Sequence, residues 1–354
     1  MNQEYKETFR ESLIQWYIRE KRDLPWRHTQ DPYKIWVSEI MLQQTKVDTV
    51  IPYYVRFIKE FPNIDILASA DEEKLLKQWE GLGYYSRVRN LQAGVKEVRE
   101  KYNSIVPNTR EKISTLRGVG PYTAGAILSI AYQKPEHAVD GNVMRVLSRI
   151  LLIRDDIAKP KTRKLFEEAV SELIDSVDPS SFNQGLMELG ATICTPTSPK
   201  CLLCPVREHC SAFYAGEQNE LPNKTKNKKN KTLTFDVFVV QNEEGKFLLE
   251  KRPETGLLAN LWQFPMVESA TKDMETVPLL ENRFGIYFTK ENELRPFKHV
   301  FSHLTWEMNN ISGNAIEAST IPEACKWLSK EEVQNVPMPV PMLKIWQAFH
   351  ERGL

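Results

Sequence analysis

Four cysteines, Cys194, Cys201, Cys204 and Cys210, fall close together in a chain that has five, with Cys325 standing apart. Their spacing is Cys-x6-Cys-x2-Cys-x5-Cys. In a reducing compartment so tight a group reads as a metal site and not as a disulfide framework. Four thiolates can ligate one [4Fe–4S] cluster, one sulfur to each iron. They can also hold zinc, although zinc sites usually pair two Cys-x2-Cys knuckles and only one occurs here. His209, next to the last cysteine, reads as a surface residue.

Two carboxylates stand in apolar surroundings. Glu39 interrupts the helical stretch Trp36–Thr45, and Asp140 lies in Val139-Asp140-Gly141-Asn142. Alone, Glu39 could be a solvated helix residue and Asp140 a plain helix cap. Together, two carboxylates in unlike environments can divide the roles of acid and anion. Between them, Gly118-Val119-Gly120-Pro121 reads as a turn between helices. Glycines there let the backbone approach another molecule closely. A helix starting at about Pro121 would present free amides to an anion.

These strings resemble one family. The cysteine spacing matches the cluster loop of the endonuclease III superfamily, which favours iron–sulfur over zinc. Leu116–Ala124 resembles a helix–hairpin–helix that clasps a DNA phosphate through Gly118 and Gly120, and Asp140 completes the helix–hairpin–helix–Gly/Pro–Asp pattern. The run from Pro25-Trp26-Arg27 to Gln44-Thr45, and Gly81-Leu82-Gly83-Tyr84-Tyr85-Ser86-Arg87, resemble the MutY-type adenine DNA glycosylases. The resemblance extends over essentially the full chain.

It implies an enzyme that acts on double-stranded DNA containing adenine opposite 8-oxoguanine or guanine, with a [4Fe–4S] cluster as cofactor. Glu39 would be the acid that protonates N7 of adenine, its pKa raised by burial. Asp140 would stay ionised and stabilise the sugar cation, electrostatically or through a covalent intermediate. The resemblance places Tyr122 and Asn142 beside them and gives Arg22 a supporting role. The target base must leave the duplex. Gln44, Thr45, Leu82 and Tyr84 would then contact or wedge beside the orphaned 8-oxoguanine, and Arg87 would contact DNA. Bifunctional relatives place a lysine at position 122, which nicks the strand through a Schiff base. Here the residue is tyrosine, with no lysine between it and Lys134. A monofunctional glycosylase that leaves an abasic site is expected.

Toward the C-terminus, Gly256–Pro265 resembles the Nudix-like domain of the same family. The glutamate box that a Nudix hydrolase needs for its metal is absent after Pro265, so no hydrolase activity is expected. Phe301-Ser302-His303 matches the loop that recognises 8-oxoguanine, and Ser302 and His303 can hydrogen-bond an altered base edge.

The surrounding pattern supplies the elements. Residues 1–215 carry apolar residues at helical spacing, broken by short Pro and Gly punctuation. They are expected to form an all-α glycosylase domain, with a six-helix, hairpin-bearing module at about 25–133 and an iron–sulfur module from 1–24 and 134–215. A basic linker is expected at 216–231, from the lysine-rich run Asn223–Lys231. Residues 232–354 read as an α+β, Nudix-like domain. It would open with a hairpin of Thr232–Val240 and Lys246–Lys251, hold a strand region at His299–Asn309 and close with a helix at Met342–Arg352.

Lys plus Arg and Asp plus Glu are equal, at 47 each, so any DNA-binding surface must be a local patch. Residues 1–22 are charged throughout and lack the apolar stretch of a secretory signal. The uncharged stretch Gly118–Gln133 is too short and broken to span a bilayer. A cytoplasmic monomer with no membrane partner is expected. Three other readings compete. A different mismatch glycosylase or lyase of the superfamily is opposed by Tyr122 and the second domain. A catalytically inactive DNA-binding or redox-sensing protein has no need of Glu39 and Asp140. A Nudix hydrolase with a helical appendage lacks its glutamate box.

Overall fold

The computed structural model describes residues 1–225, 230–269, 276–318 and 321–351. Residues 226–229 of the expected linker, and Arg352 at the end of the expected closing helix, lie outside the described residues. Contacts divide the chain into two compact units. One is Met1–Ser69 with Arg89–Lys226; the other is Ala70–Val88 with Asn227–Leu354. Residues 70–88 thus group with the C-terminal part of the chain.

Up to residue 215 the chain is a succession of helices. They are α1 (Gln3–Glu20), α2 (Pro32–Leu42), α3 (Val47–Glu60), α4 (Ile64–Ser69), α5 (Glu72–Gln78), α6 (Ser86–Tyr102), α7 (Arg110–Ile113), α8 (Pro121–Tyr132), α9 (Gly141–Ile150), α10 (Pro160–Leu173), α11 (Pro179–Thr192) and α12 (Ser211–Ala215). Local sequence sets their starts. Asp31, Asp140 and Asp178 cap α2, α9 and α11, each accepting a backbone N–H in the first turn. Proline opens α2, α8, α10 and α11, where its missing N–H costs nothing.

The core of the first unit is assembled at helical spacing. Phe9, Leu13, Trp16 and Tyr17 of α1 meet Val143, Val146 and Leu147 of α9, Phe166 and Val170 of α10, and Phe182 and Leu186 of α11. Each such fully buried large apolar side chain contributes roughly 1.5–3 kcal/mol. No helix among the described residues is long and apolar enough to cross a membrane.

The second unit is built on a mixed sheet. Among the described residues its strands are β1 (Lys231–Gln241), β2 (Phe247–Lys251), β3 (Trp262–Gln263), β4 (Met266–Glu268), β5 (Ile286–Val300), β6 (Leu304–Ala318) and β7 (Cys325–Leu328), with helices α13 (Val277–Phe284), α14 (Lys330–Asn335) and α15 (Val340–His350). The order is β3-β2-β1-β6-β5, with β4 on β1 and β7 on β2. β1 and β6 run parallel; the other pairs are antiparallel.

Alternation along β1 fills both faces. Val237 and Val239 join Met342, Ile345, Trp346 and Phe349 of α15 on one side. Phe238 and Val240 join Leu280 and Phe284 of α13 on the other. The expected β1–β2 hairpin forms, with Asn242 closing its turn through Lys246.

The expected strand region His299–Asn309 forms as the hairpin end of β5 and β6, with His299 opposite Trp306 and Val300 opposite Thr305. Phe301 N–H closes the turn on the Leu304 carbonyl at 2.7 Å. The Phe301 ring packs edge-on against Trp306 and His299, which anchors the fold-back and leaves Ser302 and His303 exposed at its tip.

Candidate active site

α2 packs against α8, and this contact buries Glu39. Tyr122, in the first turn of α8, donates its hydroxyl to Glu39 Oε2 at 2.5 Å. Burial pushes the Glu39 carboxyl up to about 7, and the negative charge of Asp140 pushes the same way. The Tyr122 bond and the Arg27 charge pull it down without offsetting the burial. Near neutral pH the side chain is therefore divided between acid and anion, the condition for a proton donor. Tyr122 itself is held well above its ordinary value, by burial first and then by the two carboxylates, so it remains a neutral donor.

Asp140 caps α9. One oxygen accepts Val143 N–H at 2.7 Å and the other accepts Asn142 Nδ2 at 2.9 Å. Burial raises this carboxyl too, but those hydrogen bonds and the Arg145 charge oppose the rise. The two carboxylates thus share a site and differ in their partners: one is bonded to a phenol, the other is held as a helix cap. The chain leading into Asp140 is fixed by Asn183 of α11, whose amide donates to the Glu136 carbonyl at 2.8 Å.

Arg145 ties this cap to the cysteines. Its Nη2 donates to Asn142 Oδ1 at 2.9 Å and to the Gly190 carbonyl at 2.8 Å, and its Nε donates to the Cys194 carbonyl at 2.8 Å. Gly190 allows the approach, since a Cβ there would lie 2.7 Å from the Asn142 Cβ. One helical turn on, Arg149 is fully buried and donates to Cys194 Sγ at 3.2 Å and to the carbonyls of Thr195, Pro196 and Leu221.

Cys194, Cys201, Cys204 and Cys210 line one cavity of about 380 Å³, walled by Val146, Ile150, Leu189 and Ile193. Burial pushes the Cys204 thiol up to about 12, and its cysteine neighbours add to the rise. Among the described residues no three Cys, His, Asp or Glu side chains are grouped to hold a single metal ion. His209 is neither cavity wall nor free surface. It is half-buried, edge-on to Tyr5 and Phe9 of α1.

Arg22 holds Glu188, not Glu39. Its guanidinium grips that carboxylate with two 2.8 Å bonds, and Arg27 adds a third at 2.7 Å. Burial disfavours the ionised form of Glu188, yet these hydrogen bonds bring its carboxyl down to about 2. The arginine charge felt at Glu39 is that of Arg27.

The remaining candidates fall into two sets. In the first unit, Gln44 is exposed, with a φ of 57°, in the turn that ends α2, and Thr45 follows it. Gly118 takes a φ of 79°, and a Cβ there would press on Asn90. Gly120 caps α8 with open space where a Cβ would be. In the second unit, the Tyr84 and Ser302 hydroxyls are 2.9 Å apart. Leu82 is buried. Arg87 lies under the same loop, donating to the Leu82 and Gly83 carbonyls.

Comparison with known proteins fits both units. Residues 37–172 match the HhH-GPD superfamily of base excision DNA repair proteins, and residues 236–348 match the NUDIX domain. An adenine DNA glycosylase of Mus musculus is 34% identical over 98% of this chain and 79% of its own length. The chain belongs to the adenine DNA glycosylases. The adenine DNA glycosylase of Buchnera aphidicola subsp. Baizongia pistaciae is 36% identical, covering 96% of this chain and 95% of its own. Among solved structures, a thermostable thymine-DNA glycosylase superposes with a TM-score of 0.54 at 28% identity, over 60% of this chain and 98% of that one. The enzyme therefore removes adenine in base-excision repair, on an all-α glycosylase fold followed by a Nudix-like domain.

Reading the sequence missed Arg27, Arg145, Arg149 and Glu188. A signal existed: Arg145 and Arg149 are four apart on α9, hence on one helical face, and Glu188 is a lone acid in the apolar end of α11.

Proposed function

We propose that the enzyme excises adenine opposite 8-oxoguanine by a monofunctional mechanism, and that its four cysteines hold a [4Fe–4S] cluster. The observation that carries the mechanism is the Tyr122–Glu39 pair, a buried carboxyl near 7 bonded to a phenol. With the adenosine flipped out of the duplex, Glu39 delivers its proton to N7 of adenine. The C1′–N9 bond breaks with its electron pair leaving on the base. Ionised Asp140 faces the positive charge that develops on the sugar. Water adds to C1′ and gives its proton to the Glu39 carboxylate, and an abasic site remains. Tyr122 has no amine to form a Schiff base, so the strand stays intact.

The helix–hairpin–helix turn supports DNA binding. Gly120 is the N-cap of α8 and Pro121 its first residue; no side chain caps this helix end, and such an end favours a phosphate. Gln44, Thr45, Leu82, Tyr84 and Arg87 serve the DNA around the orphaned base, and Phe301 supports Ser302 and His303 as readers of 8-oxoguanine. The cysteine cavity suits a cluster in its donor set and in the buried guanidinium of Arg149 beside Cys194. When bound, the cluster supplies a covalent cross-link among the four cysteine segments.

A duplex labelled at one end, with a single adenine opposite 8-oxoguanine, tests the reading. Strand breakage only after hot alkali, reduced to a small residue in Glu39→Gln and Asp140→Asn, is expected. Breakage without alkali would contradict the role given to Tyr122.

A further inference from the structure

The loop that carries Tyr84 is fastened to the second unit at three levels. At the start of α5, Glu73 Oε1 accepts Lys251 Nζ at 2.7 Å and Trp262 Nε1 at 2.9 Å, and Glu72 Oε1 accepts Asn260 Nδ2 at 3.0 Å. Past the end of α5, Glu80 Oε1 accepts the Met338 N–H at 2.8 Å and Glu80 Oε2 pairs with Lys77 at 2.7 Å. Lys77 and Tyr85 also donate to the carbonyls of Val336 and Met338. At the tip, Tyr84 meets Ser302.

Inside the loop, Trp79 Nε1 donates to the Gly83 carbonyl at 3.1 Å, and the Arg87 guanidinium lies 5.5 Å from the Trp79 ring centre and 5.3 Å from that of Tyr84. Gly81, Gly83 and Tyr84 all have positive φ, so the backbone path is specific. The loop can therefore pass its placement from the Glu73 and Glu80 anchors to the Tyr84 hydroxyl. Both anchors accept donors carried by buried residues, Trp262 and Met338. Leaving such a donor unpaired disfavours the anchored arrangement.

From this geometry we propose that Glu73 and Glu80 are specificity-determining positioning residues. By anchoring residues 72–85 they set the Tyr84–Ser302 pair, and through it the preference for 8-oxoguanine over guanine opposite adenine. Neither carboxylate need touch DNA. The inference rests on the proposed role of Ser302 in reading the lesion.

The test uses the full-length enzyme with duplexes that hold adenine opposite 8-oxoguanine or opposite guanine, and compares single-turnover excision rates. Glu73→Ala combined with Glu80→Ala is expected to lower the ratio of the two rates about tenfold, equivalent to roughly 1.4 kcal/mol. Glu73→Gln combined with Glu80→Gln keeps an acceptor for the Trp262 and Met338 donors, and should restore most of the ratio. An unchanged ratio in the alanine variant, or both rates falling by one common factor, would overturn the proposal. Ser302→Ala separates the two ideas. If it abolishes the preference while the glutamate variants keep it, the anchors have no such role and lesion reading stands. If the wild-type enzyme shows no preference, lesion reading fails and this inference fails with it.

Discussion

Arg145 Nη2 holds the side-chain oxygen of Asn142 at 2.9 Å, while Asn142 holds Asp140 through its other amide end at 2.9 Å. The same guanidinium is fixed on the Cys194 carbonyl. Asn142 can orient Asp140 only if its oxygen is satisfied elsewhere, so the flip state of this amide depends on Arg145. Arg145→Lys replaces a planar fork by a single ammonium that cannot bridge three acceptors on two helices and a loop. The single-turnover excision rate should fall by about 10- to 100-fold, as for the loss of a residue that positions a reacting group. Affinity for a duplex with a non-cleavable adenine analogue should stay within about threefold. An unchanged rate would mean that Asp140 is held by its Val143 bond alone.

Glu39 should make the enzyme less stable where it works. Its folded-state value, about 7, lies above the ordinary 4.5. The folded protein then binds more protons than the unfolded chain between those values, so stability falls as pH rises from about 4.5 to 7 and levels off above. Glu39→Gln keeps an acceptor for Tyr122 and removes the buried charge. At pH 8 the variant should be more stable than wild type by up to about 3 kcal/mol, with the gap closing toward pH 4.5. Denaturant melts at the two pH values check this. A gap that widens on acidification would contradict the burial assigned to Glu39.

The sign reverses for Glu188. Its folded value of about 2 is depressed, so its stabilisation is present above about 4.5 and is lost as pH falls toward 2. Glu188→Gln strands two guanidinium groups, of which Arg27 is the more buried. The expected loss is about 3 kcal/mol at neutral pH, the lower end for breaking a buried pair because Arg22 is partly solvated. The difference should shrink in acid. Equal urea midpoints at pH 7 would show the triad to be energetically idle.

Among the described residues, the Arg149 guanidinium donates to Cys194, to the two residues after it and to Leu221. Arg149→Met fills similar volume and drops all of these bonds. Purified variant protein should carry less than about half the wild-type iron per chain, because removing partners around metal ligands weakens binding substantially. Full iron content with normal visible absorbance would exclude that role for Arg149.

Much of this architecture was legible because it is local. Helix caps at Asp31, Asp140 and Asp178, opening prolines, the Asn242 turn and the alternation along β1 are set by neighbours in sequence. The cysteine group is legible through residue type and spacing, whereas Glu39 and Asp140 stand out as a catalytic pair only through the family resemblance. What escaped is long-range: Arg145 and Arg149 reach residues 45 or more positions away, and Glu188 meets Arg22 from 166 positions away. No periodicity encodes such pairings, because they arise only when α9, α11 and the cysteine loop have packed. Val300, Phe301, Thr305 and Trp306 all favour extended backbone, so local propensity does not mark the turn at residues 301–303. Only the pairing of β5 with β6 decides that the chain folds back there. The attachment of residues 70–88 to the sheet depends likewise on acids whose partners lie about 180 or more positions on.

The most direct test of the account is the pH dependence of adenine excision under single turnover, from pH 5 to 9, on a duplex with adenine opposite 8-oxoguanine. If Glu39 donates the proton, the rate should fall about tenfold per pH unit above a midpoint near 7, and the falling limb should vanish in the residual activity of Glu39→Gln. A rate that stays flat across pH 6 to 9, or a limb that survives in Glu39→Gln, would mean that the acid is another group.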